Sequence, residues 1–232
     1  MTMVDLIWTL GVGLGAAGYF VVHPDPSLRA LFILIVVMLW SLRLSVHLLV
    51  DRLSHGREDP RYVNLRRCWG EKSDRNFLFL FLLQVPFVAL FVFPITVAMD
   101  HSGDWAFSDT LALMIVVVAL SGEFVADRQL SAFRSDPGKR SGVCQEGLWR
   151  YCRHPNYFFE WVHWWAYVAF AWGATGWWLT LAGPTVMFVF LRYLTGVPPA
   201  ERSSLRNRGA AYAAYQRSTN TFFPWKPHTP PS

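Results

Sequence analysis

Residues 147–161 read GLWRYCRHPNYFFEW, a basic polar segment that runs directly into an apolar, tryptophan-rich one. Pro155 stands at the junction, and proline suits the first turn of a helix because its missing N–H would have no partner there. A helix that begins at Pro155 places Asn156, Glu160 and His163 on one face, at spacings of four and three. Polar groups within hydrocarbon are costly and usually face a cavity or another helix. This face therefore predicts a ligand site.

The composition predicts an integral membrane protein. Hydrophobic residues make up 53% of the 232 residues and charged residues only 16%, whereas soluble domains carry about 25% charged residues. Six apolar segments have the length and hydropathy expected of membrane spans: residues 6–22, 28–50, 77–98, 106–125, 157–174 and 177–196. We therefore expect an all-α bundle of about six transmembrane helices, forming one domain over residues 1–225. Residues 226–232 are expected to be a disordered tail.

Lys and Arg are distributed unevenly among the connections between these segments. Seven lie in residues 51–76, six in residues 126–156 and five after residue 197, whereas the three other connections contain none. With six spans, the basic connections and both termini fall on one side, which the positive-inside rule makes cytosolic. This topology explains the net charge of +5 without a nucleic-acid partner. We expect no bound metal, because Cys and His lack the spacing of a metal site.

Trp40, Arg43 and His47 form a second polar stripe, three and four residues apart within the apolar segment 28–50. An embedded arginine beside a histidine is typical of a cavity that receives an anionic ligand. The alternative is that Arg43 extends its guanidinium to the membrane interface.

Glu123, Asp127 and Arg134 form a third stripe, at positions i, i+4 and i+11 of one helix. Pro137-Gly138 predicts the end of that helix. The alternative is an ion-paired helix end in water. We expect the three stripes to line one cavity on the cytosolic side.

Five short motifs are spread over most of the chain: WSLRL at 40–44, GREDPRY at 56–62, ADRQ at 126–129, RHPNYF at 153–158 and YAAYQR at 212–217. In combination they resemble the bacterial DUF1295 family. That family belongs with the steroid 5α-reductase C-terminal superfamily, which also contains isoprenylcysteine carboxyl methyltransferases.

The resemblance implies an NADPH site, because the reductases of this superfamily bind NADPH in a cytosol-facing cavity among their C-terminal helices. By position, Asp127 and Arg134 match residues that hold the adenosine and phosphate part of the cofactor. Asn156 and Glu160 match residues near its nicotinamide. Arginines suit phosphate groups, and the start of a helix favours a nearby anion. The other expected cofactor-binding residues are Arg43, His47, Arg57, Tyr62, Glu123, Arg153, His154 and Tyr157.

The resemblance also implies two catalytic residues. In the 5α-reductases a Glu and a Tyr hold the substrate carbonyl, and Asp5 and Trp40 stand at the matching positions here. A protonated carboxyl in an apolar site donates a hydrogen bond, whereas Trp40 donates through its indole N–H but supplies no proton. The alternative for Asp5 is an exposed N-terminal charge. Phe159 is a further departure, because family members usually have Gly there.

We therefore expect an NAD(P)H-dependent reductase of a conjugated C=C bond in a lipidic substrate, whether steroid-like, isoprenoid or fatty acyl. Clustered arginines favour NADPH over NADH. Its partners would be the lipid bilayer, in a bacterial inner membrane, and a hydrophobic small molecule. Two alternatives stay open. One is a methyltransferase that uses S-adenosylmethionine, since the Arg-His-Pro-x-Tyr motif also occurs there, and the other is a non-catalytic lipid-binding protein.

Overall fold

The computed structural model describes residues 2–23, 26–55 and 60–228, with the side chains of residues 5–23, 26–50 and 65–228. These residues form helices and loops, with no β-strand among them, so the predicted all-α fold is confirmed. The α-helices are α1 (Thr2–Val22), α2 (Leu28–His55), α3 (Pro60–Trp69), α4 (Ser73–Met99), α5 (Phe107–Ser135), α6 (Pro155–Phe170), α7 (Ala182–Val189) and α8 (Val197–Ser218).

Five stretches of the described chain are long and apolar enough to cross a membrane: Asp5–Val22, Leu28–Val50, Leu65–Met99, Phe107–Ser135 and Trp177–Ser218. The predicted segment 157–174 is the exception. It forms α6, which has 16 residues and is therefore about 24 Å long at 1.5 Å per residue. The hydrocarbon core of a bilayer is roughly 30 Å thick. Because α6 buries Glu160 and His163, it suits contact with protein better than contact with lipid.

The last predicted span, residues 177–196, is not one regular helix. A 3-10 helix at Trp177–Leu181 precedes α7, and a π-helix at Phe190–Leu194 follows it. Pro184 lies in the first turn of α7, where a proline needs no hydrogen-bond partner for its nitrogen. The change from 3-10 helix to α-helix therefore lies close to Pro184, which has no N–H to donate to the backbone hydrogen bonds of a helix.

The chain divides into two compact units, of which the first comprises Met1–Asp109 and Tyr167–Gly183. Within it, α1 packs against α2 and α4. The α1–α2 contact is close at Gly13, where an added Cβ would lie 2.7 Å from the Ser41 hydroxyl oxygen. Trp8 meets Trp40 edge-on, with ring centroids 5.6 Å apart. These contacts fix the position of α1 along the axis of α2.

A buried ion pair that no sequence pattern predicted also lies in the first unit. Arg29 Nε donates to Asp109 Oδ1 at 2.6 Å, and Arg29 Nη2 donates to Oδ2 at 2.9 Å. The same guanidinium donates to the carbonyl oxygens of His101 and Asp104. Asp109 also accepts from the N–H of Ala106, just before α5 begins. The charges are thus satisfied internally, and the pair fastens the starts of α2 and α5 together.

The second unit comprises Thr110–Ala166 and Pro184–Ser232. Its helices α5 and α6 approach closely where Phe159 lies over Gly122, and any Cβ at Gly122 would overlap the Phe159 ring. Phe159 is therefore accommodated by a glycine on the neighbouring helix. Phe222 is buried and stacks edge-on against Phe188, with ring centroids 5.1 Å apart.

Candidate functional site

The start of α6 brings two predicted cofactor-binding residues together. α6 begins at Pro155, as predicted from the sequence. The Asn156 side chain uses both of its polar atoms, because its Oδ1 accepts from the Tyr157 N–H at 3.0 Å and its Nδ2 donates to Asp127 Oδ1 at 3.3 Å. Asp127 lies on α5. An amide and a carboxylate from two helices are therefore side by side at a helix N-terminus.

Glu160 continues this polar face one turn further along α6. Its side chain is buried, and its Oε1 accepts a hydrogen bond from Trp164 Nε1 at 3.2 Å. A buried carboxylate needs such donors to offset the loss of water. The indole of Trp164, one further turn along, therefore holds the Glu160 carboxylate in a defined orientation.

The predicted stripe on α5 lies on one continuous helix, which ends at Ser135, just before Pro137-Gly138. Along this stripe the exposure increases: Glu123 is buried, Asp127 is half-buried and Arg134 is exposed. The stripe therefore leads from the interior of the second unit to its surface. A phosphate can reach Arg134 from solvent.

Arg153 is buried, with 7% of its surface exposed. Its Nε donates to Glu201 Oε1 at 2.7 Å, and its Nη2 donates to Thr221 Oγ1 at 2.7 Å. Its Nη1 donates to the carbonyl oxygens of Gln216 and Thr219. The guanidinium therefore joins the segment before α6 to α8 and to the chain after α8.

His154 is also buried and contacts the same carboxylate. Its Nε2 lies 3.4 Å from Glu201 Oε1, and its ring stacks on Tyr157 with centroids 5.3 Å apart. Burial lowers the pKa of His154, and this effect outweighs the opposite effect of Glu201. The imidazole is therefore neutral near pH 7, with Nε2–H donating to Glu201.

Glu201, the acceptor for both residues, belongs to no motif. The one sequence feature that could have indicated its role is that it is the single acidic residue of α8, a helix with several arginines. Its Oε2 accepts from Gln216 Nε2 at 2.9 Å, so both carboxylate oxygens have partners. Glu201 therefore organises the site without belonging to any of the predicted stripes.

The chain after α8 runs along the segment that precedes α6. The Arg153 N–H donates to the Asn220 carbonyl at 2.9 Å, and the Trp225 N–H donates to the Tyr151 carbonyl at 3.1 Å. The Cys152 thiol donates to the Phe222 carbonyl at 2.9 Å. These bonds therefore fasten the segment that leads into α6 to the chain after α8.

Four further predicted residues lie in the first unit. Asp5 is half-buried in the first turn of α1, and Trp40 is completely buried. Arg43 is half-buried and His47 is exposed, so their stripe leads from the interior towards the surface. Two predicted positions, Arg57 and the side chain of Tyr62, lie outside the described residues. That all three stripes line one cavity stays a prediction.

A groove of about 460 Å³ lies beside the last turns of α5. It is lined by Gln129, Ala132, Phe133, Asp136, Lys139, Glu146 and Gly147. Lys139 and Glu146 form an ion pair of 2.7 Å on its wall. Asp127 and Arg134 are not among the residues that line it.

The length and apolarity of these helices define an all-α integral membrane protein. Within that class, the chain belongs to the DUF1295 family. The sequence model of this family, described as a protein of unknown function, matches residues 1–219 and so includes every α-helix described above. The predicted family is thereby confirmed. No curated protein and no solved structure matches the chain.

Proposed function

We propose that this membrane protein is an NAD(P)H-dependent reductase of a conjugated C=C bond in a lipidic substrate. The resemblance of its motifs to the steroid 5α-reductase C-terminal superfamily supports this proposal. The connection between α2 and α4 and the connection between α5 and α6 would face the cytosol of a bacterium, because Lys and Arg are concentrated in them.

The hydrogen bond between Asn156 and Asp127 is the observation that carries the proposal. An amide has two N–H donors and an oxygen with two lone pairs, so beyond its bonds to Asp127 and to the Tyr157 N–H the Asn156 side chain can still pair with the carboxamide of nicotinamide. A carboxylate accepts hydrogen bonds from ribose hydroxyls, as in other dinucleotide sites. The N-terminus of α6 favours the negative charge of a nearby cofactor phosphate.

The residues of the second unit fit a dinucleotide in their chemistry. Arg134 is exposed and lies about 10 Å along α5 from Asp127 at 1.5 Å per residue, so it suits a phosphate remote from the nicotinamide. Arg153 and His154 hold Glu201 and the chain after α8. They would therefore orient Asn156 and Tyr157 rather than touch the cofactor.

A bound NADPH would supply the hydride that the β-carbon of the conjugated carbonyl accepts, and solvent water would supply the proton that completes the reduction at the α-carbon. Asp5, in its protonated form, would donate a hydrogen bond to the carbonyl oxygen as enolate charge develops. Trp40 would donate a second one through its indole N–H. Both residues lie in apolar helices, and low polarity strengthens such bonds.

Thermal unfolding of the detergent-purified protein tests the proposal, with NADPH, NADH and S-adenosylmethionine compared as ligands. A ligand that binds only the native state raises the melting temperature. We expect NADPH to raise the melting temperature of the wild type. In both Arg134→Ala and Asn156→Ala the shift should be smaller and should correspond to an apparent affinity at least tenfold weaker. Arg128→Ala is the matched control, because Arg128 is an exposed arginine on the same helix but off the stripe.

Each other outcome has a definite meaning. Stabilisation by S-adenosylmethionine alone would replace the reductase with a methyltransferase. A shift with NADPH that both site variants retain would contradict the assigned residues. No shift with any of the three ligands would favour a non-catalytic lipid-binding protein.

A further inference from the structure

Ser45 on α2 has a buried hydroxyl with no hydrogen-bond partner. Only 4% of the residue is exposed, and its Oγ is among the buried polar atoms without a partner in the described part of the chain. A serine in a helix commonly satisfies its hydroxyl with a backbone carbonyl one turn back. Leaving a buried hydroxyl unpaired costs stability, so this group needs an explanation.

The contact between α1 and α2 shows which residues are level with Ser45. Ser41, one turn before it, donates through its Oγ to the Thr9 carbonyl at 3.0 Å. Thr9 in turn donates through its Oγ1 to the Asp5 carbonyl at 2.8 Å, one turn back along α1. Since the two helices are joined by a short connection and run in opposite directions, one turn forward on α2 matches one turn back on α1. Ser45 is therefore level with Asp5.

Ser45 and Asp5 also lie on the helix faces that are turned towards each other. On α1, Asp5, Thr9 and Gly13 follow at spacings of four, and both Thr9 and Gly13 contact Ser41. On α2, Ser45 follows Ser41 by four, so it shares the face that meets α1. The hydroxyl and the carboxyl thus occupy the same level of one helix–helix contact.

We propose that Ser45 is a specificity-determining residue whose hydroxyl donates a hydrogen bond to the substrate carbonyl oxygen at the site where Asp5 acts. This inference rests on the proposed function, because it assigns a further residue to the same substrate. Ser45 would join Asp5 and Trp40 as a donor, and donors that converge on one carbonyl oxygen stabilise the charge that develops there. A site built to bond a carbonyl also rejects analogues that lack it, since its own polar groups are then left unpaired.

The stability of the ligand-free protein gives the first test, with Ser45→Ala compared with Ser41→Ala. The Ser41 hydroxyl has a partner and 3% of that residue is exposed, so Ser41→Ala should lower the melting temperature by about 2–4 °C. Ser45→Ala should leave the melting temperature unchanged or raise it, because it removes an unsatisfied polar group. An equal loss in both variants would show that Ser45 has a partner in the folded protein and would overturn the proposal.

Ligand binding gives the second test. The probes are a 3-oxo-4-ene steroid and a long-chain 2-alkenone, each paired with the analogue whose carbonyl is a methylene group. In wild type, the carbonyl member of at least one pair should bind more tightly. Ser45→Ala should weaken the binding of that carbonyl compound about tenfold and leave the affinity for its methylene analogue unchanged. No preference for the carbonyl in wild type, or the same preference in both proteins, would overturn the proposal.

NADPH binding separates this inference from the proposed function. Ser45→Ala and wild type should be stabilised equally by NADPH, because Ser45 has no role towards the cofactor. If NADPH stabilises both and the carbonyl preference does not depend on Ser45, the assignment of Ser45 alone fails. If NADPH stabilises neither but the preference does depend on Ser45, the reductase proposal fails and the carbonyl-binding role of Ser45 remains.

Discussion

Arg153 Nε donates to Glu201 Oε1 at 2.7 Å, so that a largely buried ion pair joins the segment before α6 to the first turns of α8. Asn156 lies three residues after Arg153. The position of the candidate cofactor residue therefore depends on a carboxylate that is distant in sequence. Tertiary contacts of this kind decide where the start of α6 lies.

Arg153→Ala should lower the free energy of unfolding by about 3–5 kcal/mol, because it leaves Glu201 without its main partner inside the protein. The measurement is unfolding in detergent, by heat or denaturant. Arg150→Ala is the control, since Arg150 is exposed and should change stability by about 0.5 kcal/mol or less. Equal effects of the two substitutions would mean that the Arg153–Glu201 pair does not hold this segment.

The stability of the protein should fall as the pH falls below about 7, in part because of His154. Burial keeps the folded-state pKa of His154 below its ordinary value of 6.5. As the pH falls, the unfolded chain therefore binds the proton first, and the unfolded state gains stability relative to the folded one. His154→Gln should reduce this loss of unfolding free energy by up to about 1.4 kcal/mol per pH unit. The measurement is the melting temperature of both proteins between pH 7.5 and 5. A wild type that becomes more stable at low pH relative to His154→Gln would show that protonation strengthens the contact with Glu201.

Gly122→Ala should destabilise the protein, because the added Cβ overlaps the Phe159 ring. Overpacking costs roughly 1–3 kcal/mol, which exceeds the gain of at most about 1 kcal/mol from replacing a helical glycine by alanine. Adding Phe159→Ala to Gly122→Ala should relieve the overlap. Gly18→Ala is the control, since no side chain and no other helix lies within 4 Å of its added Cβ, and it should be neutral or stabilising. If Gly18→Ala destabilised the protein as much as Gly122→Ala does, overlap with the Phe159 ring would not be the cause of the destabilisation.

Thiol labelling should distinguish one cysteine from the other two. Cys68 is exposed, whereas Cys144 and Cys152 are buried. Burial raises the pKa of the Cys152 thiol to about 12 and also raises that of Cys144, and only the thiolate reacts. A maleimide at pH 7.5 should therefore label one thiol quickly in the native protein and three after unfolding, and Cys68→Ser should abolish the quick reaction. Quick labelling of Cys152 in the native state would contradict its contact with Phe222.

The sequence predicted those features that depend on local patterns. Pro155 marks the start of α6, Pro137-Gly138 follows the end of α5, and the apolar run 77–98 lies within α4. Helix starts, helix ends and apolar runs each depend on residues a few positions apart. Periodicity is therefore sufficient to find them.

Features that depend on distant contacts were missed or incompletely predicted. Glu201 has no local pattern that distinguishes it, and only the folded chain shows that it meets Arg153. The bidentate pair of Arg29 and Asp109 joins residues eighty positions apart. Segment 157–174 was predicted to span the membrane because hydropathy does not distinguish a helix that is buried in protein from one that faces lipid.

The most direct test of the central claim is a calorimetric titration of NADPH onto the detergent-purified protein, in wild type, Asn156→Ala and Arg128→Ala. If Asn156 lies near the nicotinamide in a cofactor site, NADPH binds wild type and Arg128→Ala with equal affinity, and Asn156→Ala binds it at least tenfold more weakly. Equal affinity in all three proteins, or no binding of NADPH to wild type, would contradict the account.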